Sequence, residues 1–194
     1  MHKRPDKSER VAVFCGARPG VQAEYIDFAR QFGHSLARRG LDLVYGAGGV
    51  GVMGAVADGV LGGGGTVTGV IPRSLHERER ADRARGEIFV VRSMHERKAL
   101  MYRLSSAFAV LPGGIGTLDE LMEVLTWNQL SLMEKPIVVV NHGGFFTPML
   151  RMLDHLVAEG FLSADERQLI QVAETAQKAL DLLGFPVRAL PVPA

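Results

Sequence analysis

Short apolar segments that alternate with longer helix-like segments are the feature that most constrains the fold of this chain. Six apolar segments have strand length, and they read VAVFC, LDLVY, TVTGVI, IFVV, AFAVL and PIVVV. Their residues are apolar nearly throughout rather than alternately, which is typical of strands that are covered on both faces. The pattern predicts an α/β, Rossmann-like, doubly wound and mainly parallel sheet of about six or seven strands, with helices on both faces.

The segments between and after these strands define the organisation of the chain. Helices are predicted over residues 22–39, 50–61, 94–105 and 118–133, and after Val140 the sequence predicts helices alone, over 148–159, 164–170 and 175–183. The length of 194 residues is that of one globular domain. We therefore expect a single Rossmann-like domain over 11–185, a flexible N-terminal segment over 1–10 and a Pro-rich tail over 186–194.

Composition restricts the class of ligand. The formal net charge is +1, so no overall field attracts nucleic acid or anionic membrane, and small ligands held by local groups are expected instead. The single Cys15 rules out an internal disulfide, and its apolar surroundings predict a buried structural thiol. No apolar run reaches the roughly 18 residues of a membrane span, and the histidines show no metal-ligand spacing. We expect a cytoplasmic protein without a metal.

A glycine-rich loop follows the second predicted strand, in YGAGGVGVMG. Its spacing fits G-x-G-x-x-G, but the next strand ends in VIPRS, without the acidic residue that an NAD site requires. Two interpretations remain open: the glycines form a phosphate or nucleotide loop at a helix N-terminus, or they only permit close packing. The glycines concerned are Gly46, Gly48, Gly49 and Gly51.

A second glycine-rich loop, in LPGGIGTLDE, follows the fifth predicted strand. Gly113, Gly114 and Gly116 free the backbone to form a concave set of N–H donors before a helix predicted to begin near Thr117, which favours a phosphate ligand. Glu120 has two interpretations. It completes a capping box with Thr117, or it acts on the neutral part of a ligand, since a carboxylate beside a phosphate nest repels the phosphate.

A third segment, VRSMHERKALM, carries two cations at the start of a predicted helix. Ser93 and Glu96 have capping-box spacing, which places Arg97 and Lys98 in the first two turns. Cations there oppose the helix dipole, so we expect a compensating anion, either Glu120 or a bound phosphate. The alternative is that both are solvated surface charges.

MHERKALM followed by LPGGIGTLDE resembles the paired signature of the LOG family, the cytokinin riboside 5'-monophosphate phosphoribohydrolases, long mislabelled as lysine decarboxylases. The likeness runs from Val11 to about Gly160 and includes FCGARPG and GAGGVGVMG. It implies that Arg97 and Glu120 are the catalytic pair. It implies substrate binding by Glu79, Lys98, Gly114, Ile115, Gly116, Thr117, Leu118, Asp119 and Thr126, and Gly113 joins this set as part of the expected phosphate-binding loop.

Two positions depart from the family pattern. Ala17 stands where a Ser is common, which removes a hydroxyl that could contact phosphate, and Asp119 replaces a Glu without loss of charge. A decarboxylase is disfavoured because the expected core holds only Lys98 and Lys135, with no pyridoxal-phosphate domain.

The resemblance implies hydrolysis of the N-glycosidic bond of a nucleoside 5'-monophosphate, without cofactor or metal. Cytokinin riboside 5'-monophosphate and AMP are the expected substrates, and free base and ribose 5-phosphate are the products. A broad nucleotide nucleosidase and a non-enzymatic carrier or sensor of a phosphorylated ligand remain as alternatives. The family likeness also implies a homodimer or higher homo-oligomer, with the helix of Glu120, Glu123 and Trp127 expected at the subunit contact.

Overall fold

The computed structural model describes residues 9–77 and 84–186. Seven strands form one parallel sheet in the order β4-β3-β2-β1-β5-β6-β7. The strands are β1 Arg10–Phe14, β2 Asp42–Tyr45, β3 Val67–Pro72, β4 Glu87–Val91, β5 Ala107–Val110, β6 Ile137–Val140 and β7 Ile170–Ala173. The predicted α/β, Rossmann-like class is confirmed.

Burial explains why the strand sequences are apolar nearly throughout. Every residue of β2, β3, β5 and β6 is buried, as are the last four residues of β1. In the centre of the sheet, Val11 is in register with Leu43 on one side and with Ala107 on the other. Both faces of these strands are covered by helices, so a polar residue on either face would lose its water.

Eight α-helices connect or follow the strands in the described part of the chain. They are α1 Glu24–Arg38, α2 Gly51–Gly62, α3 Arg73–His76, α4 Met94–Leu104, α5 Ile115–Gln129, α6 Thr147–Ala158, α7 Ala164–Gln168 and α8 Ala176–Leu182. A 3-10 turn, His142–Gly144, precedes α6. Among these residues, none of the helices combines the length and the apolar character that crossing a membrane requires.

The prediction of helices alone after Val140 was wrong, because β7 lies between α7 and α8. Ile170 pairs with Ile137 of β6, and Ala173 pairs with Val140. The segment is short and Gln171 interrupts its apolar character, so its sequence resembles the end of a helix. Its strand conformation depends on pairing with β6, a contact between residues distant in sequence. The charged segment 73–87 has no predicted helix or strand, yet it contains α3 and the first residue of β4.

Several expectations fall on residues outside the described ranges. These are Glu79, most of the N-terminal segment 1–10 and nearly all of the tail 186–194.

The strand order reverses direction at β1. Strands β2, β3 and β4 extend to one side of β1, whereas β5, β6 and β7 extend to the other. The connections after β1 and β5 therefore leave the same edge of the sheet and diverge, which opens a crevice where open α/β sheets bind ligands. The two loops contact each other: Gly16 N–H donates to the Pro112 carbonyl oxygen at 3.0 Å.

Candidate active site

A cavity of about 570 Å³ occupies the crevice between the β1 and β5 loops. This volume lies within the usual range for small-molecule sites. The loop after β1 forms one wall, and the glycine loop and the start of α5 form the other. Residues of α1, α2, α4 and the segment just after the 3-10 turn complete it. The lining residues are Cys15, Gly16, Ala17, Arg18, Pro19, Gly20, Tyr25, Val52, Met53, Arg97, Pro112, Gly113, Gly114, Ile115, Gly116, Thr117, Glu120 and Phe145.

The start of α4 holds Arg97 at the base of this cavity. Ser93 is the N-cap residue, and its hydroxyl accepts from Glu96 N–H at 3.2 Å. The Glu96 carboxylate accepts from Arg92 N–H at 2.8 Å rather than from Ser93, so half of the predicted capping box forms. Arg97 and Lys98 lie in the first two turns of α4, as predicted, and both are buried.

Gly46 makes room for the Arg97 guanidinium. A Cβ atom at Gly46 would lie 1.8 Å from Arg97 Nη2, and Nη2 donates to the Gly46 carbonyl oxygen at 3.4 Å. Glycine is needed at this position because any side chain would displace the arginine.

The other glycines of this loop have packing roles too. Gly51 has a φ of +64°, and a Cβ there would lie 2.5 Å from the Ala17 carbonyl oxygen, while a Cβ at Gly48 would lie 2.9 Å from Met53 Sδ. None of the four glycines of this loop lines the cavity, although Val52 and Met53 do. These contacts support the packing interpretation of Gly46, Gly48 and Gly51. A phosphate-binding role for these three glycines and for Gly49 stays a prediction.

Arg97 and Glu120 face each other, with Nη2 and Oε1 3.8 Å apart. Only 10% and 9% of their side chains are exposed. Arg97 Nη1 lies 3.4 Å from Met94 Sδ, and Arg97 Nε is buried without a hydrogen-bond partner among the described residues. A buried donor without a partner is costly in a protein interior. The pair therefore retains unused hydrogen-bonding capacity at the base of the cavity.

Burial determines the protonation behaviour of Glu120. It raises the pKa of this carboxyl from 4.5 to about 7, although the Arg97 guanidinium opposes the rise. Asp119 and Glu123 add smaller upward contributions, and Lys98 a downward one. Arg97 is thus too weak a partner to keep Glu120 fully ionised at neutral pH. A carboxyl with a pKa near 7 is suited to proton transfer or to charge stabilisation in an enzyme.

The capping box predicted for Thr117 and Glu120 is absent. Helix α5 begins at Ile115, and its N-cap residue is Gly114, whose extended backbone enters the helix directly. Thr117 and Glu120 therefore lie inside the helix. The capping interpretation of Glu120 is wrong because the turn after β5 starts the helix at Ile115, before Thr117 is reached. Glu120 has no capping role that would account for its burial.

The beginning of α5 supplies free donors to the cavity. The first intrahelical bond of this end runs from Leu118 N–H to the Gly114 carbonyl oxygen, so the N–H groups of the preceding turn have no intrahelical acceptor. Thr117 Oγ1 is buried without a partner in the described part of the protein, and a Cβ at Gly113 would lie 2.1 Å from it. These groups and the helix dipole favour an anion beside Gly113, Gly114 and Gly116.

Lys98 projects away from this cavity. Its Nζ contacts Asp119 Oδ2 at 3.0 Å and Glu123 Oε2 at 2.9 Å, and Tyr102 donates its hydroxyl to Glu123 at 2.6 Å. Burial lowers the pKa of Lys98, but the bonds to the two carboxylates outweigh it and the net pKa is raised. This network borders a second cavity of about 280 Å³, lined by Lys98, Asp119, Met122, Glu123, Thr126 and Trp127.

The predicted binding residues therefore fall in two places. Arg97, Glu120 and the glycine loop meet at the larger cavity, whereas Lys98, Asp119 and Thr126 meet at the smaller one. Ile115 lies at the larger cavity with 82% of its surface exposed, and Leu118 packs against the core.

The loop after β1 and two aromatic side chains were not among the predicted site residues. Tyr25 and Phe145 line the cavity with ring centroids 5.6 Å apart, edge to face. The loop could have been identified from its place after the first strand, because the loop of the central strand borders the crevice of such sheets. The aromatic pair could not, because it joins α1 to the segment after β6.

Residues suited to holding a metal do not gather in the described ranges, where groups of three or more His, Cys, Asp or Glu side chains with that geometry are absent.

Comparison with known proteins places the chain in a family. The model of the family described as "Possible lysine decarboxylase" matches residues 53–183. The rice (Oryza sativa subsp. japonica) cytokinin riboside 5'-monophosphate phosphoribohydrolase LOG is 47% identical over 176 residues, which are 91% of this chain and 73% of the rice protein. The Arabidopsis thaliana enzyme LOG2 is 44% identical over 183 residues, which are 94% of this chain and 86% of that protein. The chain belongs to the LOG family.

More distant solved structures share the fold of this LOG family member. The molybdenum cofactor carrier protein of Chlamydomonas reinhardtii superposes with a TM-score of 0.68 at 20% identity, over 92% of this chain and 97% of that one. DNA processing protein A of Streptococcus pneumoniae superposes with a TM-score of 0.58 at 13% identity, over 90% of this chain and 61% of that one. At these identities the likeness extends to the fold alone.

Proposed function

We propose that this protein is a phosphoribohydrolase that cleaves the N-glycosidic bond of a nucleoside 5'-monophosphate and releases free base and ribose 5-phosphate. The observation that carries the proposal is the buried carboxyl of Glu120, which faces Arg97 beside the free N-terminus of α5. Relatives at 44% and 47% identity bear the name cytokinin riboside 5'-monophosphate phosphoribohydrolase. Cytokinin riboside 5'-monophosphate and AMP are the proposed substrates.

In this proposal the 5'-phosphate binds the glycine loop before α5. The N–H groups of the first turn and the Thr117 hydroxyl have no acceptors within the described structure, so a phosphate gives them partners that they otherwise lack. The ribose then lies toward the base of the cavity, where Glu120 and Arg97 meet. Fixing the phosphate in this way positions the glycosidic bond for reaction.

Glu120 acts on the sugar. Cleavage of the N-glycosidic bond develops positive charge on the ribose, and an ionised Glu120 stabilises that charge or orients the attacking water. Arg97 holds the carboxylate in place and offers its unpartnered Nε to the ligand. Because Glu120 has a pKa of about 7, its ionised and protonated forms interconvert easily at neutral pH.

A substrate panel tests the function. We expect release of free base from AMP and from isopentenyladenosine monophosphate, and much slower release from adenosine, which lacks the phosphate. Equal rates for AMP and the prenylated nucleotide identify a broad nucleotide nucleosidase. Binding of the nucleotides without release of any base identifies a carrier or sensor and contradicts the proposal.

We also propose a cytoplasmic homodimer or larger homo-oligomer. The end of α5 supports an interface, because Leu130 and Leu132 are exposed by 61% and 69% and follow the half-buried Trp127. The unpaired, buried Cys15 fits a reducing compartment. Light scattering at micromolar concentration tests the assembly, and a monomer there would contradict it.

A further inference from the structure

Arg18 lines the larger cavity in the loop after β1 and is exposed. Within the described ranges its guanidinium forms no hydrogen bond and no ion pair. The other cation of the cavity, Arg97, faces Glu120, and Lys98 lies outside the cavity between two carboxylates. Arg18 is therefore the cavity cation in the described structure whose charge is not already matched by a carboxylate.

The loop that carries Arg18 is fixed against the glycine loop. Besides the Gly16–Pro112 hydrogen bond, a Cβ at Gly16 would lie 3.2 Å from Gly113 Cα. On its other side, the Gly16 carbonyl oxygen accepts from Met53 N–H at 3.1 Å, and the backbone of Ala17 packs against Gly51. Arg18 thus follows a backbone segment that is held between the starts of α2 and α5.

Two buried groups at the same cavity indicate independently that a ligand binds there. Thr117 is 2% exposed and Arg97 is 8% exposed, and Thr117 Oγ1 and Arg97 Nε have no partner among the described residues. Thr117 Oγ1 lies close beneath Gly113, at the start of α5. An oxyanion at this helix end would accept from the hydroxyl and from the free N–H groups together.

We propose that Arg18 binds the 5'-phosphate of the substrate from the wall opposite the α5 N-terminus. This inference rests on the proposed function and extends it by a residue. The planar guanidinium offers two parallel donors to phosphate oxygens, and it supplies positive charge that the neutral glycine loop lacks. Among the loop residues 16–20 that line the cavity, Arg18 alone has a side chain that can donate a hydrogen bond to phosphate.

Affinity for AMP and adenosine, measured by calorimetry, tests the inference in Glu120→Gln protein, which is expected not to consume the nucleotide. In the Glu120→Gln background, adding Arg18→Gln should raise the Kd for AMP by about 10- to 100-fold, because a hydrogen bond to a charged group contributes about that much affinity. The Kd for adenosine should not change. Arg18→Lys should recover part of the affinity, because it keeps the charge but not the planar fork. Arg151→Gln removes an equal charge from exposed α6 and should leave both Kd values unchanged.

Salt gives a second readout. Because Arg18 is exposed, raising the ionic strength should weaken AMP binding more in the Glu120→Gln protein, which retains Arg18, than in the same protein with Arg18→Gln added. An unchanged Kd for AMP in Arg18→Gln, or an equal loss for AMP and adenosine, would overturn the inference. Neither result affects the proposed reaction, which the substrate panel tests separately. Conversely, if no substrate is cleaved but Arg18→Gln still weakens AMP binding alone, the phosphate site stands and the enzymatic function fails.

Discussion

At the scale of the residue, the opposing effects on Glu120 decide the chemistry of the site. Withdrawal from water disfavours the carboxylate, and Arg97 at 3.8 Å favours it. The pKa of about 7 indicates that desolvation is the larger effect. A buried carboxyl that caps no helix lowers stability, so stability alone does not explain Glu120 at this position. Such unfavourable side chains are typical of functional sites.

The raised pKa of Glu120 predicts a pH-dependent stability difference for Glu120→Gln. The folded protein binds a proton that the unfolded chain releases between about pH 4.5 and pH 7, so this contribution to stability is present below pH 4.5 and lost as the pH rises through 7. Gln cannot ionise. At pH 8 the variant should exceed wild type in free energy of unfolding by up to about 3 kcal/mol, and at pH 4.5 the two should be nearly equal.

Urea denaturation of both proteins at the two pH values measures this difference. A Glu120→Gln protein that is less stable than wild type at pH 8 would show that the ion pair with Arg97 outweighs burial.

Gly46 offers a second residue-scale prediction. Gly46→Ala places a methyl group where Arg97 Nη2 lies, so the guanidinium must move away from Glu120. We expect turnover of AMP to fall by roughly 10²-fold, the cost of misplacing a catalytic group by about 1 Å. Gly62→Ala is the control, because the nearest atom to its Cβ belongs to the His34 ring, at 3.1 Å. Steady-state kinetics should show reduced turnover in Gly46→Ala and nearly normal turnover in Gly62→Ala. Normal turnover in Gly46→Ala would contradict the claim that Gly46 makes room for Arg97.

At the scale of the element, the sequence predicted the strands with local apolar runs but not β7 or the start of α5. Strand β7 was missed because its pairing with β6 is not local, and the start of α5 was misplaced because a turn, not a side chain, sets it. Of the two anions expected beside Arg97, Glu120 lies there, since both residues follow strand ends at one edge of the sheet. The separation of Lys98 follows from helix geometry, because successive residues point about 100° apart.

Two adjacent basic residues of α4 contact carboxylates of α5: Arg97 faces Glu120, and Lys98 contacts Glu123. Substitution of each basic residue should affect stability and turnover differently. Lys98→Met leaves Glu123 with its Tyr102 bond but without its cation, so we expect a loss of roughly 1 to 3 kcal/mol in stability. Turnover per folded molecule should fall by less than 10-fold, since Lys98 lies outside the larger cavity. Arg97→Met should instead lower turnover by more than about 10-fold and lower stability less than Lys98→Met does. Calorimetric melting and kinetics of both variants provide the test, and a greater kinetic loss in Lys98→Met would contradict this division.

At the scale of the whole molecule, the sheet order explains why a cavity forms at this edge of the sheet. Reversal at β1 opens the crevice, and the β1 and β5 loops close around it from opposite sides. The resulting cavity combines a helix N-terminus, a buried carboxyl and an aromatic pair. The sequence identified the glycine loop before this helix and the Glu120 carboxylate from local motifs, but not the burial of Glu120. The aromatic pair required the three-dimensional arrangement, because Tyr25 and Phe145 are far apart in the chain.

The central claim is that Glu120 acts on the bound nucleotide, and AMP cleavage by Glu120→Gln tests it most directly. Loss of the carboxylate should lower the rate of base release by roughly 10²- to 10⁴-fold, equivalent to about 3 to 5 kcal/mol of transition-state stabilisation. Binding of AMP should persist, because the phosphate contacts remain intact. A folded variant that binds AMP and hardly cleaves it is the predicted result, whereas near-normal release of adenine would contradict the claim.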